Sequence, residues 1–310
     1  MRVCLMIEGQ EGVSWNDWRA LANAAEAAGL DGLFRSDHYS SFHAAPGDAL
    51  DAWSTIAALS ALTQRLRLGT LVSPVMFRHP SVLARMSASA DQISGGRIEV
   101  GLGSGWHEPE HLQNGFAFPD LRSRFDVLTE QLEILVRSWS GERFDYRGEH
   151  YALRGQRALP RPVQVPHPPI ILGGQGRPRA LDLAVRFARE YNTMGSVAEC
   201  RARRGLLDQA CRRAGRDPAS LALSVMGFAA LGESAADAAD RERRALECIP
   251  GSRHLFAQAS GKFVGGLDAV ATLLRDYAAA GVSRVYLNHF DRRDLRGIEL
   301  MGRLARAVAS

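Results

Sequence analysis

Three places in the chain combine residue types that could do chemistry. Asp37-His38 sets a carboxylate beside an imidazole, a pair able to hold a ring N–H and to move a proton near neutral pH. Gly101, Gly103 and Gly105 run into Trp106, His107 and Glu108, so backbone without side chains meets an aromatic ring, an imidazole and an acid. Gly173, Gly174 and Gly176 precede Arg177 and Pro178, a glycine turn and helix start suited to an anion held on helix amides.

Two familiar patterns overlap the second place. A dinucleotide fingerprint needs G-x-G-x-x-G opening a helix in the first βαβ unit, but here the third glycine comes one residue early and the motif lies well outside such a unit. His107-Glu-Pro-Glu-His111 fits the H-E-x-x-H zinc pattern, yet Pro109 lies between the histidines, a glycine loop precedes them and no third ligand is apparent. No metal is expected. The surviving reading brings amides near Ser104 and Gly105 close to a flat ligand, where a Cβ would collide. A tight turn that needs glycine accounts for the same residues, as a surface loop does for Asp37-His38 and a plain βα turn for Gly173 to Arg177.

These residues must be positioned by strands. Eight β-rich runs alternate with amphipathic helical segments: Val3 to Glu8, Asp31 to Arg35, Leu66 to Val72, Arg97 to Leu102, Pro169 to Gly173, Tyr191 to Met194, Leu221 to Ala230 and Ser283 to His289. That alternation is the signature of a parallel sheet with crossover helices, and Asp37-His38 then follows the second strand at the mouth where barrel enzymes place catalytic groups. The first helix starts at Ser14 with Asp17 completing a capping box, sets Trp15, Trp18, Leu21, Ala22 and Ala25 on one face and ends at Gly29. Another carries Pro80 at its start and Gly95-Gly96 after its end. Phe125, Leu128, Leu132, Leu135 and Trp139 mark a core helix, as do Val270, Leu273, Leu274 and Tyr277. Between 141 and 168 the pattern breaks into a hairpin and a proline-rich connection, read as an insertion within one domain. Pro250 to Gly266 is irregular and reads as an active-site lid or an ordinary loop.

Composition sets bounds. A chain of 310 residues that is 46% hydrophobic can bury a large core, and its size suits two modest domains or one α/β barrel. The four cysteines form no C-x-x-C pair, so neither a disulfide framework nor a cysteine zinc site is indicated. No apolar run approaches the roughly 18 residues a membrane span needs, and a soluble, cytoplasmic protein is expected. The net charge is +4 with basic residues dispersed among acids, which argues against nucleic acid as a partner.

Together the motifs resemble the luciferase-like monooxygenase superfamily and, within it, the branch of oxidoreductases that use the deazaflavin coenzyme F420. The resemblance rests on Ser36-Asp-His38, Arg78-His-Pro80 with Ser94-Gly-Gly-Arg97, Gly101 to Glu108, Ile171-Leu-Gly-Gly174 and Val264-Gly-Gly266. It implies an α/β fold, a single (β/α)8 TIM barrel over residues 1–310 with insertions in the βα loops, and a homodimer. By position, Asp37 would bond the pyrimidine edge of the coenzyme ring and His38 would face the substrate. Thr70 and Leu71 would form a bulge behind the ring, with a non-prolyl cis peptide. Ser104 and Gly105 would lie near the ring or its side chain, Gly173, Gly174, Gly176 and Arg177 would hold the phosphate, and Trp106 and His107 would line the substrate side. The sugar- and alcohol-oxidising members keep a catalytic acid where this chain has Trp106. Glu108 stands in from nearby, and reduction of an unsaturated or imine-like bond is favoured over alcohol oxidation. The expectation is hydride transfer between reduced deazaflavin and a small organic substrate, with His38 and Glu108 handling the proton. The alternatives are a monooxygenase using reduced FMN and oxygen, and a catalytically silent ligand-binding barrel.

Overall fold

The computed structural model describes residues 1–41, 47–252, 254 and 261–309, so seven residues of the 250–266 stretch, 253 and 255–260, lie outside the described residues, and with them the middle of the lid or loop expected there. The strands are β1 (Arg2–Ile7), β2 (Gly32–Arg35), β3 (Arg67–Thr70), the two-residue β4 (Ser73–Pro74), β5 (Ile98–Gly103), β6 (Phe144–Arg147), β7 (Ala152–Gln156), β8 (Ile170–Gly173), β9 (Glu190–Thr193), β10 (Ala222–Gly232), β11 (Phe263–Gly266) and β12 (Val282–Asn288). Neighbours run β1, β2, β3, β5, β8, β9, β10, β12 and back to β1, all parallel, so the sheet closes on itself as an eight-stranded barrel. Each of the eight β-rich runs overlaps one barrel strand, with ends that differ by up to two residues. The fold is the expected TIM barrel.

The described α-helices are α1 (Trp15–Ala28), α2 (Ala52–Leu62), α3 (Pro80–Ser94), α4 (Glu108–Gln113), α5 (Leu121–Trp139), α6 (Pro178–Phe187), α7 (Val197–Arg213), α8 (Ala235–Glu247), α9 (Leu267–Ala279) and α10 (Leu295–Ala309), beside three short 3-10 turns at Val75–Phe77, Pro218–Ser220 and Pro250–Ser252. Ser14 caps α1 through the amide of Asp17, whose side chain returns the bond, and Gly29 ends the helix at φ 75°. Trp18, Leu21, Ala22 and Ala25 are buried as the spacing predicts, but Trp15 is 37% exposed because the first helical residue overhangs the core.

Strand pleating separates two apolar layers. Val3, Leu5, Val100, Leu102, Val285 and Leu287 face the helices, whereas Cys4, Met6, Phe34, Leu71, Ile171 and Tyr286 fill the barrel interior. Beneath them Arg284 makes a two-pronged contact to Glu99 at 2.6 and 3.0 Å and reaches Glu190 at 3.1 Å, while Tyr286 donates to Glu190 at 2.6 Å. Every member of this cluster is at most 3% exposed, and each charge meets an opposite one, as burial requires.

Strands β6 and β7 form the antiparallel hairpin expected between 141 and 168. It interrupts the return from α5 to β8 and so hangs near the strands' starting ends. The Asp91 carboxylate anchors the proline-rich connection by accepting from the amides of Val163 and Gln164 at 2.7 and 3.0 Å. The site-bearing extensions are elsewhere, in the β2–α2 loop and in the β5–α5 connection that contains α4.

Candidate active site

Asp37 and His38 leave the end of β2 at the carboxyl mouth of the barrel. Asp37 is 1% exposed, and its Oδ2 accepts from Ser73 Oγ and from the Arg78 guanidinium, both at 2.5 Å. Arg78 also donates to Asp51 at 2.5 Å and to the Tyr39 hydroxyl at 3.0 Å. Asp37 Oδ1 is buried with no partner among the described residues. Such an acceptor costs stability unless something donates to it, so it is suited to a ring N–H.

His38 Nδ1 lies 2.7 Å from Glu110 Oε2, inside a cluster where His38 is 9% exposed and Glu110 not at all. Burial disfavours the imidazolium, but the hydrogen bond and charge of Glu110 outweigh it and raise the His38 pKa above its ordinary value. Burial likewise opposes the Glu110 carboxylate, and His38 with the amides of Ser40 and Tyr39 overrides it, holding its pKa low. Glu110 Oε1 accepts from both of those amides, at 3.0 Å from Ser40, so α4 fixes the backbone that follows His38.

The expected partner Glu108 stands elsewhere. Two residues along a helix turn the side chain by about 200°, so Glu108 and Glu110 cannot share a face; Glu108 is exposed and Glu110 is buried. Glu110 sat unremarked inside the H-E-x-x-H pattern, and only its spacing from Glu108 distinguished the two. His111 is buried beside Phe77 and Phe118, at ring-centroid distances of 4.9 and 4.8 Å, and its Nδ1 meets the His107 carbonyl at 2.9 Å. His107 is half-buried, and burial lowers its pKa. Trp106 is 62% exposed and meets His38 edge to face at 5.9 Å, which puts the indole and imidazole on one rim. Among the described residues no group of three or more His, Cys, Asp or Glu is arranged to hold a metal.

The glycines of β5 answer to the strand beside them. A Cβ on Gly101 would meet the Thr70 carbonyl at 2.0 Å, and one on Gly103 would meet Val72 Cγ2 at 2.8 Å. Gly105 adopts φ 78°, with His111 Nε2 3.3 Å from the place of its missing Cβ. Thr70 is fully buried and bonds the Gly101 carbonyl at 2.9 Å, while Leu71 joins the barrel interior. The non-prolyl cis peptide lies between Leu71 and Val72, one residue beyond the expected bulge. Val72 sits over Gly101, Gly103 and Gly173. The Val72 methyls thus lie against the side-chain-free backbone of Gly101, Gly103 and Gly173, and Ser104 follows Gly103 directly.

At the β8–α6 turn, Gly173, Gly174, Gly176 and Arg177 come together. Gly174 donates to the Asn192 carbonyl at 3.0 Å and Gly176 to the Tyr191 hydroxyl at 2.9 Å, so these amides hold the turn. Arg177 is the N-cap of α6 and makes no side-chain cap bond, and the first-turn amides have no intrahelical acceptor. The anion-accepting groups are thus the start of α6 and the exposed Arg177 guanidinium. Ser73, Val72, Glu110 and Tyr191 have no site role in the sequence reading, and Arg78 stands there only within the motif Arg78-His-Pro80, because each matters through a neighbour distant in the chain.

The luciferase-like monooxygenase family matches residues 2–302. An F420-dependent glucose-6-phosphate dehydrogenase of Microbacterium testaceum is 35% identical over 196 residues, 62% of this chain and 57% of that protein. The chain thus matches little more than half the length of that relative. A solved F420-dependent secondary alcohol dehydrogenase, in complex with an F420-acetone adduct, superposes with TM-score 0.83 at 17% identity, covering 99% of this chain and 98% of its own. A monooxygenase from Streptomyces bottropensis superposes with TM-score 0.81 at 23% identity, covering 98% of each chain. At those identities the two structures speak for the fold, whereas the family match spans nearly every residue. The chain belongs to the luciferase-like monooxygenase family.

Proposed function

We propose that the protein is an F420-dependent oxidoreductase acting on a small organic substrate. The observation that carries this reading is the placement of the buried His38–Glu110 pair on the rim of a side-chain-poor floor. The residues fit the coenzyme: Val72, Gly103 and Gly173 form a surface for a planar ring, Asp37 Oδ1 is a buried acceptor for its pyrimidine edge, and Arg177 with the start of α6 suits its phosphate. Ser104, Gly105, Thr70 and Leu71 shape the bed, and Trp106 and His107 line the substrate side. Bound deazaflavin supplies the hydride chemistry.

The chain's own residues supply position and proton. His38 donates or accepts the substrate proton at Nε2, because Nδ1 is directed at Glu110. Glu110 holds the ring orientation and stabilises the imidazolium. Trp106, standing where alcohol-oxidising relatives keep an acid, turns the reaction toward reduction. Glu108 has no part beyond the rim surface.

No described helix is long and apolar enough to cross a membrane. The reading includes a cytoplasmic location, supported by four cysteines in thiol form, and a homodimer, supported by the family resemblance. Titrating the purified protein with F420 and with FMN, followed by fluorescence quenching, tests the proposal. Saturable F420 binding with turnover supports it. Tight FMN binding without F420 binding points to an FMN monooxygenase, and binding without turnover on any acceptor to a silent barrel.

A further inference from the structure

Glu8 and Asn288 belong to no motif and take no part in the proton chemistry above. Glu8 follows Met6 by two residues, and Asn288 follows Tyr286 by two. Since Met6 and Tyr286 fill the barrel interior, the pleat turns Glu8 and Asn288 inward one layer higher, at the mouth. Asn288 Nδ2 donates to Glu8 Oε1 at 2.9 Å, and Gln10 Nε2 donates to Glu8 Oε2 at 3.2 Å. The Asn288 Nδ2 bond fixes the amide so that its nitrogen, not its oxygen, meets the carboxylate. That oxygen, Asn288 Oδ1, is buried in a residue only 2% exposed and has no partner among the described residues.

The place of this pair in the ring is specific. Going round the barrel, β1 is four strands from β8 and β12 is four strands from β5. Glu8 and Asn288 therefore stand on the wall opposite Gly103 and Gly173, across the mouth from the floor proposed for the coenzyme. Glu8 is close enough to His38 for its charge to act on the imidazole. Of the cations beside this wall, Arg78 is held by Asp37 and Asp51, while Arg35 donates to the Ser36 carbonyl and the Thr55 hydroxyl, keeps Nη2 without a partner among the described residues and feels the charge of Glu8. What the wall offers is the negative charge of Glu8, whose oxygens already accept from Asn288 and Gln10, beside the Asn288 amide oxygen, an acceptor with no donor among the described residues.

We propose that Glu8 and Asn288 form a substrate subsite for a protonated amine or iminium nitrogen, and that the enzyme selects cationic nitrogen compounds over phosphorylated ones. An N–H donor satisfies Asn288 Oδ1 and its charge meets Glu8, whereas a phosphate would face Glu8 and Asp37 with like charge. The inference rests on the F420 reading for the reaction, but the subsite consists of protein groups alone.

The test uses benzylamine, benzyl alcohol and benzyl phosphate as probes, with binding measured by calorimetry on the free and the F420-loaded protein. Benzylammonium is expected to bind at least about ten-fold more tightly than benzyl phosphate, and Glu8→Gln to remove that preference while leaving F420 affinity unchanged. Asn288→Leu keeps the approximate shape, removes the amide oxygen and is expected to weaken amine binding while Glu8 keeps its charge, so the two variants separate the hydrogen-bond acceptor from the charge. Equal or tighter binding of benzyl phosphate, or a preference that survives Glu8→Gln, overturns the proposal. Failure of the coenzyme reading shows separately, as absent F420 binding with the amine preference intact on the free protein.

Discussion

His38 Nδ1 and Glu110 Oε2 lie 2.7 Å apart although 72 residues separate them in the chain. A strand end supplies the imidazole and the short helix α4 supplies the carboxylate, so the pair exists only when the β5–α5 connection is folded over the β2–α2 loop. His38→Ala is expected to lower kcat by about 100-fold or more with F420 affinity unchanged. Steady-state kinetics beside a coenzyme titration check this, and unchanged turnover would remove His38 from the reaction.

The same pair gives a pH signature with a definite sign. The His38 pKa is raised above 6.5, so its contribution to stability is full below about pH 6.5 and fades as pH rises through the raised value. The Glu110 pKa is lowered from 4.5, so its contribution is present above that pH and fades as pH falls through the lowered value. Glu110→Gln is therefore expected to cost most between these limits, and to move the His38 limb of the kcat–pH profile to lower pH. Melting curves from about pH 3 to 9 and rate profiles over the upper part of that range, chosen to extend below the ordinary Glu110 value and above the ordinary His38 value, test both. A pH-independent difference would mean that the two groups are not an ion pair.

Gly101→Ala is expected to destabilise the barrel, because the new Cβ would meet the Thr70 carbonyl at 2.0 Å and backbone cannot yield as a side chain can. A cost of about 1 to 3 kcal/mol is expected in denaturant unfolding. Gly103→Ala meets a Val72 methyl instead, at 2.8 Å. It should cost less stability and weaken coenzyme binding more, by displacing Val72 into the floor. The reverse order of effects would refute the assignment of that floor.

Glu99→Ala strips Arg284 of its two-pronged partner inside the barrel, where Glu99 is 3% exposed. A loss of about 3 to 5 kcal/mol follows from leaving a buried guanidinium half paired. Burial opposes the Glu99 carboxylate, but Arg284 and Arg67 hold its pKa below 4.5, so this stability is present above that pH and disappears as pH falls through the lowered value. Acid unfolding should accordingly begin at higher pH in the variant, as circular dichroism would record.

Trp106→Glu places an acid on the rim, at a position 62% exposed, where it disturbs little packing. Secondary-alcohol oxidation in the presence of oxidised F420 is expected to appear or rise, with the melting temperature nearly unchanged. A variant that binds coenzyme yet gains no alcohol oxidation would show that Trp106 does not set the direction of the chemistry.

How much of this was legible in the sequence follows from the range of the forces involved. The eight strands, the capping box at Ser14 and the glycine stops at Gly29 and Gly95 are local, decided by alternation and by single-residue backbone preferences, and each stands where the pattern puts it. Asp37 and His38 were legible too, since the end of the second barrel strand fixes their place at the mouth. Glu110 was not, because choosing between two acids on one short helix depends on which face α4 turns toward His38. Val72 was not, because the glycines of β5 named a close approach without naming what approaches. Asn288 and Glu8 looked like ordinary strand ends until barrel closure set β12 beside β1. Sequence by itself determined the strands, the helix ends and the mouth; only tertiary structure decided which side chains meet there, because ion pairs and collisions act through space between residues far apart in the chain.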